Sequence, residues 1–533
     1  MGEEKTRYLL EKQQRFSRSL LWRWQQHYFT EKGVDAWRQG EVPHYITSNP
    51  IIATSYAEIV FAFLRDQTRL DPGTSSLNEP LILCELGAGS GRFAFHFLQH
   101  LIHLCEQARV PPTLFRYVLT DFAQSNLDFW RQHPRFQPFF ERGLLDIALF
   151  DVEQPESLAL QLTTQVITKE SLNRPLVVIA NYLFDSIPQD LYYIHEQQCQ
   201  EGLISLVVEE EPTTLTPAEL LDHFSYYYEF QPLSQAPYEE DYLQQLLAEY
   251  QQSLADTHLL FPAVGLRCIQ QLRNVSKKGL LLLSADKGEQ QLAGLQGKEA
   301  PSLLLHGSFS LEVNYHAFKV LCEQSDGLAL VPTATPSNMS VLALLFLPEA
   351  LGYRETERAY QRHIQEFGPD DFFTIISHAR HSIAEMTIDE ILAYLRLAHY
   401  DSQQLARYLP RLFALAPTLD EKERPGLRQA IDRVWNLYFP LGEELDLANQ
   451  IAYLLYAMDD YRHALLYFER SVAIYGQHSG TLYNMALCYE LLGQREQAEP
   501  LLLKVVQHDP ANKEASALLA SYHASSDGFH LVQ

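Results

Sequence analysis

The sequence predicts an α/β chain: a mostly parallel, doubly wound sheet with a helical insertion, followed by an all-α domain of short repeats. Three observations predict it. Short apolar runs alternate with helical stretches from Leu81 to Phe346, a glycine-rich turn follows the first run, and beyond it alanines recur every 34 residues.

Taken in order, residues 1–40 read as an amphipathic helical lead-in. Leu9, Phe16, Leu20, Leu21, Trp24 and Tyr28 stand at helix-like spacing, which suits a segment that covers a sheet edge or pocket. Residues 41–350 form the sheet domain, with strands at 81–84, 117–119, 147–150, 177–180 and 280–283. Their near-continuous apolar character is that of parallel strands buried on both faces. Between the fourth and fifth strands, residues 195–275 are too many for a connection and are rich in tyrosine and acid (Tyr226, Tyr227, Tyr228, Glu239, Glu240, Asp241). They read as an insertion of one or two helices, either a lid or substrate-docking surface, or a packing element without ligand contact.

Past Phe346, Ala430, Ala464 and Ala498 are spaced 34 apart, as are Ala452, Ala486 and Ala520. The period is that of the tetratricopeptide repeat. One unit places Leu482, Met485, Ala486, Tyr489, Gly493, Ala498 and Pro510 at that repeat's large, small, turn and stop positions, and Ile451, Ala452, Leu455, Ala464 and Phe468 make a second. Leu518, Leu519 and Ala520 begin a terminal capping helix. Residues 441–533 therefore resemble tetratricopeptide repeats, and residues 351–440 read as a helical linker or degenerate repeats. The resemblance implies a concave surface that docks a protein partner.

Composition narrows the function. With 41 Lys and Arg against 67 Asp and Glu the formal net charge is −26, which makes a nonspecific hold on nucleic acid unfavourable. The six cysteines are scattered without a C-x-x-C pair, so neither a zinc site nor a disulfide framework is expected, and a cytoplasmic setting fits. No metal is called for. No segment reaches the roughly 18 apolar residues of a membrane span.

The chemistry-bearing motif runs Glu85-Leu86-Gly87-Ala88-Gly89-Ser90-Gly91-Arg92, an acid late in a strand and then three alternate glycines before a helix. Glycines there let the backbone turn sharply and approach a ligand closely. A dinucleotide fingerprint needs glycine where Arg92 stands, so the spacing suits a ligand without a pyrophosphate. Following strands end in polar residues that face the same crevice. Asp121 can accept from both ribose hydroxyls, with Phe122 against an adenine, and Asp151 or its neighbour Val152 can read the adenine amino group. Asn181 ends the fourth strand, where the reacting end of such a ligand would lie.

Tyr45-Ile46-Thr47-Ser48-Asn49-Pro50, the glycine loop and Ala180-Asn181-Tyr182-Leu183-Phe184-Asp185-Ser186-Ile187-Pro188 together resemble the MidA-like S-adenosylmethionine methyltransferases. That family includes relatives of the mitochondrial complex I assembly arginine methyltransferase. Ser284-Ala285-Asp286-Lys287-Gly288 resembles the family's D-Y-G, and Val313-Asn314-Tyr315 its V-D-F. The resemblance implies a Rossmann-like methyltransferase fold, S-adenosylmethionine as cofactor with Thr47, Ser48 and Glu85 nearby, and a protein substrate. Tyr182, Lys287 and Asn314 depart from the family's glutamate, tyrosine and aspartate, which removes carboxylates that would hold a guanidinium.

The candidate site is thus Thr47, Ser48, Glu85, Gly87, Gly89, Gly91, Asp121, Phe122, Asp151, Val152 and Asn181 for the cofactor, with Asp185 and Tyr182 for catalysis. Asp185 either orients and deprotonates an acceptor or caps a helix begun at Ser186-Ile187-Pro188, and Tyr182 is either a substrate gate or a core aromatic. His44 and His306 fall in loops beside the pocket and receive no role. The leading reading is a methyltransferase acting on a protein, with the repeats docking a partner. Its alternatives are a catalytically inactive assembly or scaffold protein, and a small-molecule methyltransferase whose repeats serve oligomerisation.

Overall fold

A computed structural model of the 533-residue chain describes residues 7–42, 45–71, 79–209, 211, 215–305, 308–333 and 336–527. The chain divides into two compact units, Met1–Ser377 and His378–Gln533.

The first unit is built on a seven-stranded sheet, whose strands are β1 (Leu81–Glu85), β2 (Phe115–Asp121), β3 (Leu145–Leu149), β4 (Leu176–Asn181), β5 (Leu280–Asp286), β6 (Leu328–Leu330) and β7 (Ser340–Phe346). Their spatial order is β3-β2-β1-β4-β5-β7-β6. The first five run parallel, and β7 pairs antiparallel with both β5 and β6. Every residue of β1, β5 and β7 is buried, which is why they read in sequence as unbroken apolar runs. Helices flank the sheet on its crossovers, so the doubly wound fold is present, with an antiparallel edge.

The lead-in is not all helix. Tyr8–Arg15 is a strand, followed by helices α1 (Leu20–Lys32) and α2 (Asp35–Arg38). It pairs with Gln198–Val208, with register shifts between Leu9 and Glu11 and between Glu11 and Gln14. An open strand edge needs a partner for its amides, and that demand overrides the local helical spacing. The insertion also departs from expectation. Besides the two helices, Pro217–His223 and Asp241–Ser253, it contains strands: Asp190–His195, Gln198–Val208, Phe224–Pro232 and Asp256–Phe261 join Tyr8–Arg15 in a five-stranded antiparallel sheet. Tyr226, Tyr228 and Phe230 alternate along Phe224–Pro232 and pack on the core formed with Phe16, Trp22 and Trp24. Tyrosines with period two are a strand signal that acidic neighbours obscured.

Next come α3 (Tyr45–Ser48), α4 (Pro50–Leu70) and, after β1, α5 (Arg92–Gln107). Asn49 caps α4 by accepting from Ile51 N–H at 2.9 Å. The first unit reaches beyond residue 350: Thr356 donates through its amide and hydroxyl to the buried Asp66 carboxylate at 2.9 Å each, and Tyr360 OH donates to the Val341 carbonyl at 2.8 Å. These bonds hold Arg354–Tyr360 on the sheet domain, so the expected helical linker 351–440 is divided at about residue 377.

The second unit is all helix. Leu447–Ala457 packs on Tyr461–Tyr475, Ser479–Leu491 on Arg495–His508, and Lys513–Asp527 follows. The repeated Ala452, Ala464, Ala486 and Ala498 are fully buried where helices meet, whereas Ala520 is exposed. Ile388–Leu397, Ser402–Leu415 and Glu423–Leu437 share one hydrophobic core with the repeats, through Ile391, Leu405 and Ile431 among others.

Candidate active site

The strand order reverses between β1 and β4, and in open α/β sheets ligands bind in the crevice beyond the carboxyl ends of the strands at that reversal. Gly87, Gly89 and Gly91 adopt φ of +63°, +54° and +76°, a region open to glycine. The turn is held from beside it. Gly89 N–H donates to Asp121 Oδ2 at 3.1 Å, Ala123 N–H to Asp121 Oδ1 at 3.0 Å, and the Trp130 indole N–H to the Gly89 carbonyl at 3.0 Å. Each Asp121 oxygen keeps lone pairs for a further donor. A Cβ on Gly89 would lie 2.8 Å from Trp37 Cζ2, so α2 lays an indole on the glycine loop.

Glu85 is buried with its Oε2 accepting from Tyr117 OH at 2.8 Å. Burial pushes its carboxyl up to about 8, the Tyr117 bond opposes this, and the Asp121 charge adds to it. Asn181 Oδ1 accepts from Tyr56 OH at 2.9 Å and from Ala285 N–H at 3.1 Å. Its Nδ2 is buried and lacks a hydrogen bond, as is Ser48 Oγ at the end of α3.

After Asn181 the backbone turns through Tyr182 at φ +48°, tied by Tyr182 N–H to the Ala285 carbonyl at 3.0 Å. No helix starts at Ser186; a turn leads instead to the strand Asp190–His195, so the helix-cap reading of Asp185 is set aside. Asp185 N–H donates to Asp286 Oδ2 at 3.2 Å, Lys287 N–H donates to Asp286 Oδ1 at 2.8 Å, and Ser186 OH donates to Asp185 Oδ1 at 2.8 Å. Burial raises the Asp185 carboxyl above the ordinary carboxylate range, against the Ser186 bond and the Lys287 charge. Asp286 is raised further, by burial and then by the Asp185 charge.

These parts enclose one cavity of about 240 Å³. Thr47, Ser48, Glu85, Gly87 and Gly89 line it, as do Asp121, Phe122, Asp151, Val152 and Asn181, and Tyr182 and Asp185 stand at the same cavity. Gly91 does not: it is the residue before α5, and a Cβ there would meet Phe136 at 2.9 Å. His44 and His306 lie outside the described residues. The lead-in covers the pocket as its pattern suggested, but the residues it brings were not among the sequence candidates: Trp22, Gln25, Phe29 and Trp37 line the cavity. Gln25 Nε2 donates to the Ser186 carbonyl at 2.9 Å while its Oε1 accepts from Phe309 N–H at 3.0 Å, pinning α1 over the Asp185 turn. The only signal for this was the lead-in's aromatic content.

Residues 67–299 match the model of a family described as "Putative S-adenosyl-L-methionine-dependent methyltransferase", a stretch that holds the glycine loop, Glu85, Asp121, Asp151 and Asn181. That stretch is similar to this family over somewhat less than half of the chain. Residues 455–522 match the tetratricopeptide repeat. No curated protein matches the chain. Among solved structures, an uncharacterized superfamily protein from Burkholderia thailandensis overlaps at 12% identity with a TM-score of 0.39, covering 64% of this chain and 89% of that one. A superfamily member from the same organism, bound to S-adenosyl-homocysteine, overlaps at 12% identity with a TM-score of 0.37, covering 57% and 79%.

The methyltransferase's cofactor is S-adenosylmethionine, and the cavity has the groups such a molecule requires. Asp121 offers acceptors for a diol, Phe122 and Val152 an apolar wall, and Ser48 Oγ and Asn181 Nδ2 unpaired polar atoms. Bound there, the cofactor supplies a methyl group activated by a sulfonium. Among the described residues no helix is long and apolar enough to cross a membrane, and no cluster of His, Cys, Asp or Glu could hold a metal ion.

Proposed function

We propose that the protein transfers the methyl group of S-adenosylmethionine to a protein substrate and that its repeats dock a partner. The observation that carries the cofactor part is the pair of buried atoms without hydrogen bonds, Ser48 Oγ and Asn181 Nδ2, at a cavity whose glycine loop has left-handed φ angles. A buried polar group without a partner costs about 1–3 kcal/mol, a cost that a bound ligand relieves. In this reading Asp121 holds the ribose, Phe122 packs on the adenine, Asp151 or Val152 reads its amino group, and Thr47, Ser48 and Asn181 hold the methionine end.

Because the donor carbon is already activated, the chain's task is to position the acceptor, exclude water and take a proton. Asp185 takes it. Its raised carboxyl lies nearer neutrality than an ordinary aspartate, which suits a general base. Gln25 and the aromatic side chains of α1 and α2 exclude water. A protein acceptor is favoured by the repeats, since a domain that holds a partner raises the local concentration of its segments at the site. The test is transfer of labelled methyl from S-adenosylmethionine to proteins of a lysate. Labelled bands that vanish in Asp185→Asn support the reading; label confined to small molecules refutes the protein acceptor, and none at all favours a scaffold without turnover.

A further inference from the structure

A second cavity of about 400 Å³ adjoins the first, and Lys287 and Ser310 line both. Lys287 stands just past β5, and among the described residues its ammonium makes no hydrogen bond or ion pair. Several charges of the second cavity have partners of their own. Lys298 is held by both Glu312 oxygens at 2.8 and 2.9 Å, Glu289 Oε1 accepts from Gln291 N–H at 3.0 Å, and His258 Nδ1 meets the Lys298 carbonyl at 3.0 Å. Glu299 completes the charged lining of that cavity.

These groups discriminate among acceptors. A guanidinium or ammonium calls for paired carboxylates, but Asp286 is 1% exposed and engaged by two backbone amides, and Glu85 is bonded to Tyr117. Asp121 and Asp151 line the same cavity but serve the cofactor in this reading, which leaves Asp185 for the acceptor, with the Lys287 charge close enough to act on it and to repel a cation. A carboxylate acceptor would be repelled by Asp185 and would need no base. A phenol arrives neutral, can rest its ring on the Trp22, Phe29 and Phe309 wall, and needs both a cation for its oxyanion and a base for its proton. Trp22 and Phe309 already pack with centroids 4.9 Å apart.

We propose that the acceptor is a phenolic hydroxyl, its ring against Trp22, Phe29 and Phe309 and its oxygen between the Lys287 ammonium and the Asp185 carboxylate. This rests on the methyltransferase reading above. The hydroxyl proton passes to Asp185. The oxygen forms its bond to the methyl carbon as the carbon–sulfur bond breaks, and that electron pair stays on sulfur, leaving a neutral thioether and an aryl methyl ether.

The test uses the full chain saturated with S-adenosylhomocysteine, which cannot transfer a methyl, and 4-nitrophenol as probe, because its coloured phenolate reports protonation directly. Calorimetry first checks that S-adenosylhomocysteine binds. Failure there sinks the cofactor reading and this proposal together; binding followed by failure below sinks this proposal alone. The expected result is a bound phenol that ionises at least about one pH unit lower in wild type than in Lys287→Met, the Asp185 and burial contributions being common to both. Benzylamine, phenylguanidine and benzoate should bind at least about tenfold more weakly, the same electrostatic scale. Equal binding of any of the three, or the same phenol ionisation in wild type and Lys287→Met, overturns the proposal. N-acetyltyrosinamide that displaces the probe identifies a tyrosine side chain as the source of the phenol; displacement by free phenols only identifies a small molecule.

Discussion

Gly89→Ala tests the link between the glycine loop and the lead-in that covers it. The residue sits at φ +54°, where a Cβ costs about 1–2 kcal/mol. The new methyl would also fall 2.8 Å from Trp37 Cζ2, and relieving such overpacking typically costs about 1–3 kcal/mol. Together the variant should lose about 2–5 kcal/mol from the first unit. Trp22, Trp24, Trp37 and Trp130 lie in that unit and Trp435 in the other, so urea unfolding followed by tryptophan fluorescence reports mainly the first. Trp37→Ala added to Gly89→Ala should return the steric part and leave the backbone part, a coupling of about 1 kcal/mol or more in the double-mutant cycle. Calorimetry on the same proteins should show S-adenosylmethionine affinity reduced at least about tenfold in the single variant, equivalent to about 1.4 kcal/mol. Additive energies, or unchanged affinity, would refute the claim that Trp37 and the loop form one wall of the cofactor site.

Other expectations follow from particular side chains. Glu85 is raised from 4.5 to about 8 in the fold, so the stability it contributes is present below pH 4.5 and is lost as pH rises through about 8. Glu85→Gln cannot ionise, so its urea midpoint in the cofactor-free protein should gain on wild type from about pH 5 to 8, by up to about 5 kcal/mol; a gap independent of pH would show that Glu85 is ionised in the fold. Gln25→Ala leaves the Ser186 carbonyl and the Phe309 amide without their partner and should cost about 1–3 kcal/mol while speeding cofactor dissociation in stopped-flow measurements. Unchanged dissociation would free α1 of any covering role. Ala486→Leu forces a larger side chain into a fully buried helix contact and should destabilise the repeats by about 1–3 kcal/mol by circular dichroism; an unchanged melting transition would show that the helix contact at Ala486 has room to spare.

The central strands were legible because residues 81–84, 177–180 and 280–283 are buried on both faces, and two-sided burial leaves a continuous apolar run. The strand-end polar residues were legible with them, since the topology sends every parallel strand end to one crevice. The second sheet was not. Leu9 and Glu11 pair with Val207 and Leu206, almost two hundred residues away, across register shifts that spoil alternation, so no window of local sequence contains the interaction that makes Tyr8–Arg15 a strand. For the same reason Trp37 and Gln25 escaped notice as parts of the site: tertiary packing brings α1 and α2 over the glycine loop. Gly91 was assigned to the cofactor because it shares the loop's spacing, but its work is to begin α5 beside Phe136 and Trp130.

The most direct test of the central claim is a calorimetric titration of the full chain with S-adenosylmethionine, repeated on Asp121→Ala. The account predicts one site per chain and binding weakened at least about tenfold by the substitution, the loss of a charge-assisted hydrogen-bonding group being worth about 1.5–3 kcal/mol. No binding at millimolar cofactor, or binding indifferent to Asp121, would contradict it and would leave the glycine loop as a turn between a strand and a helix.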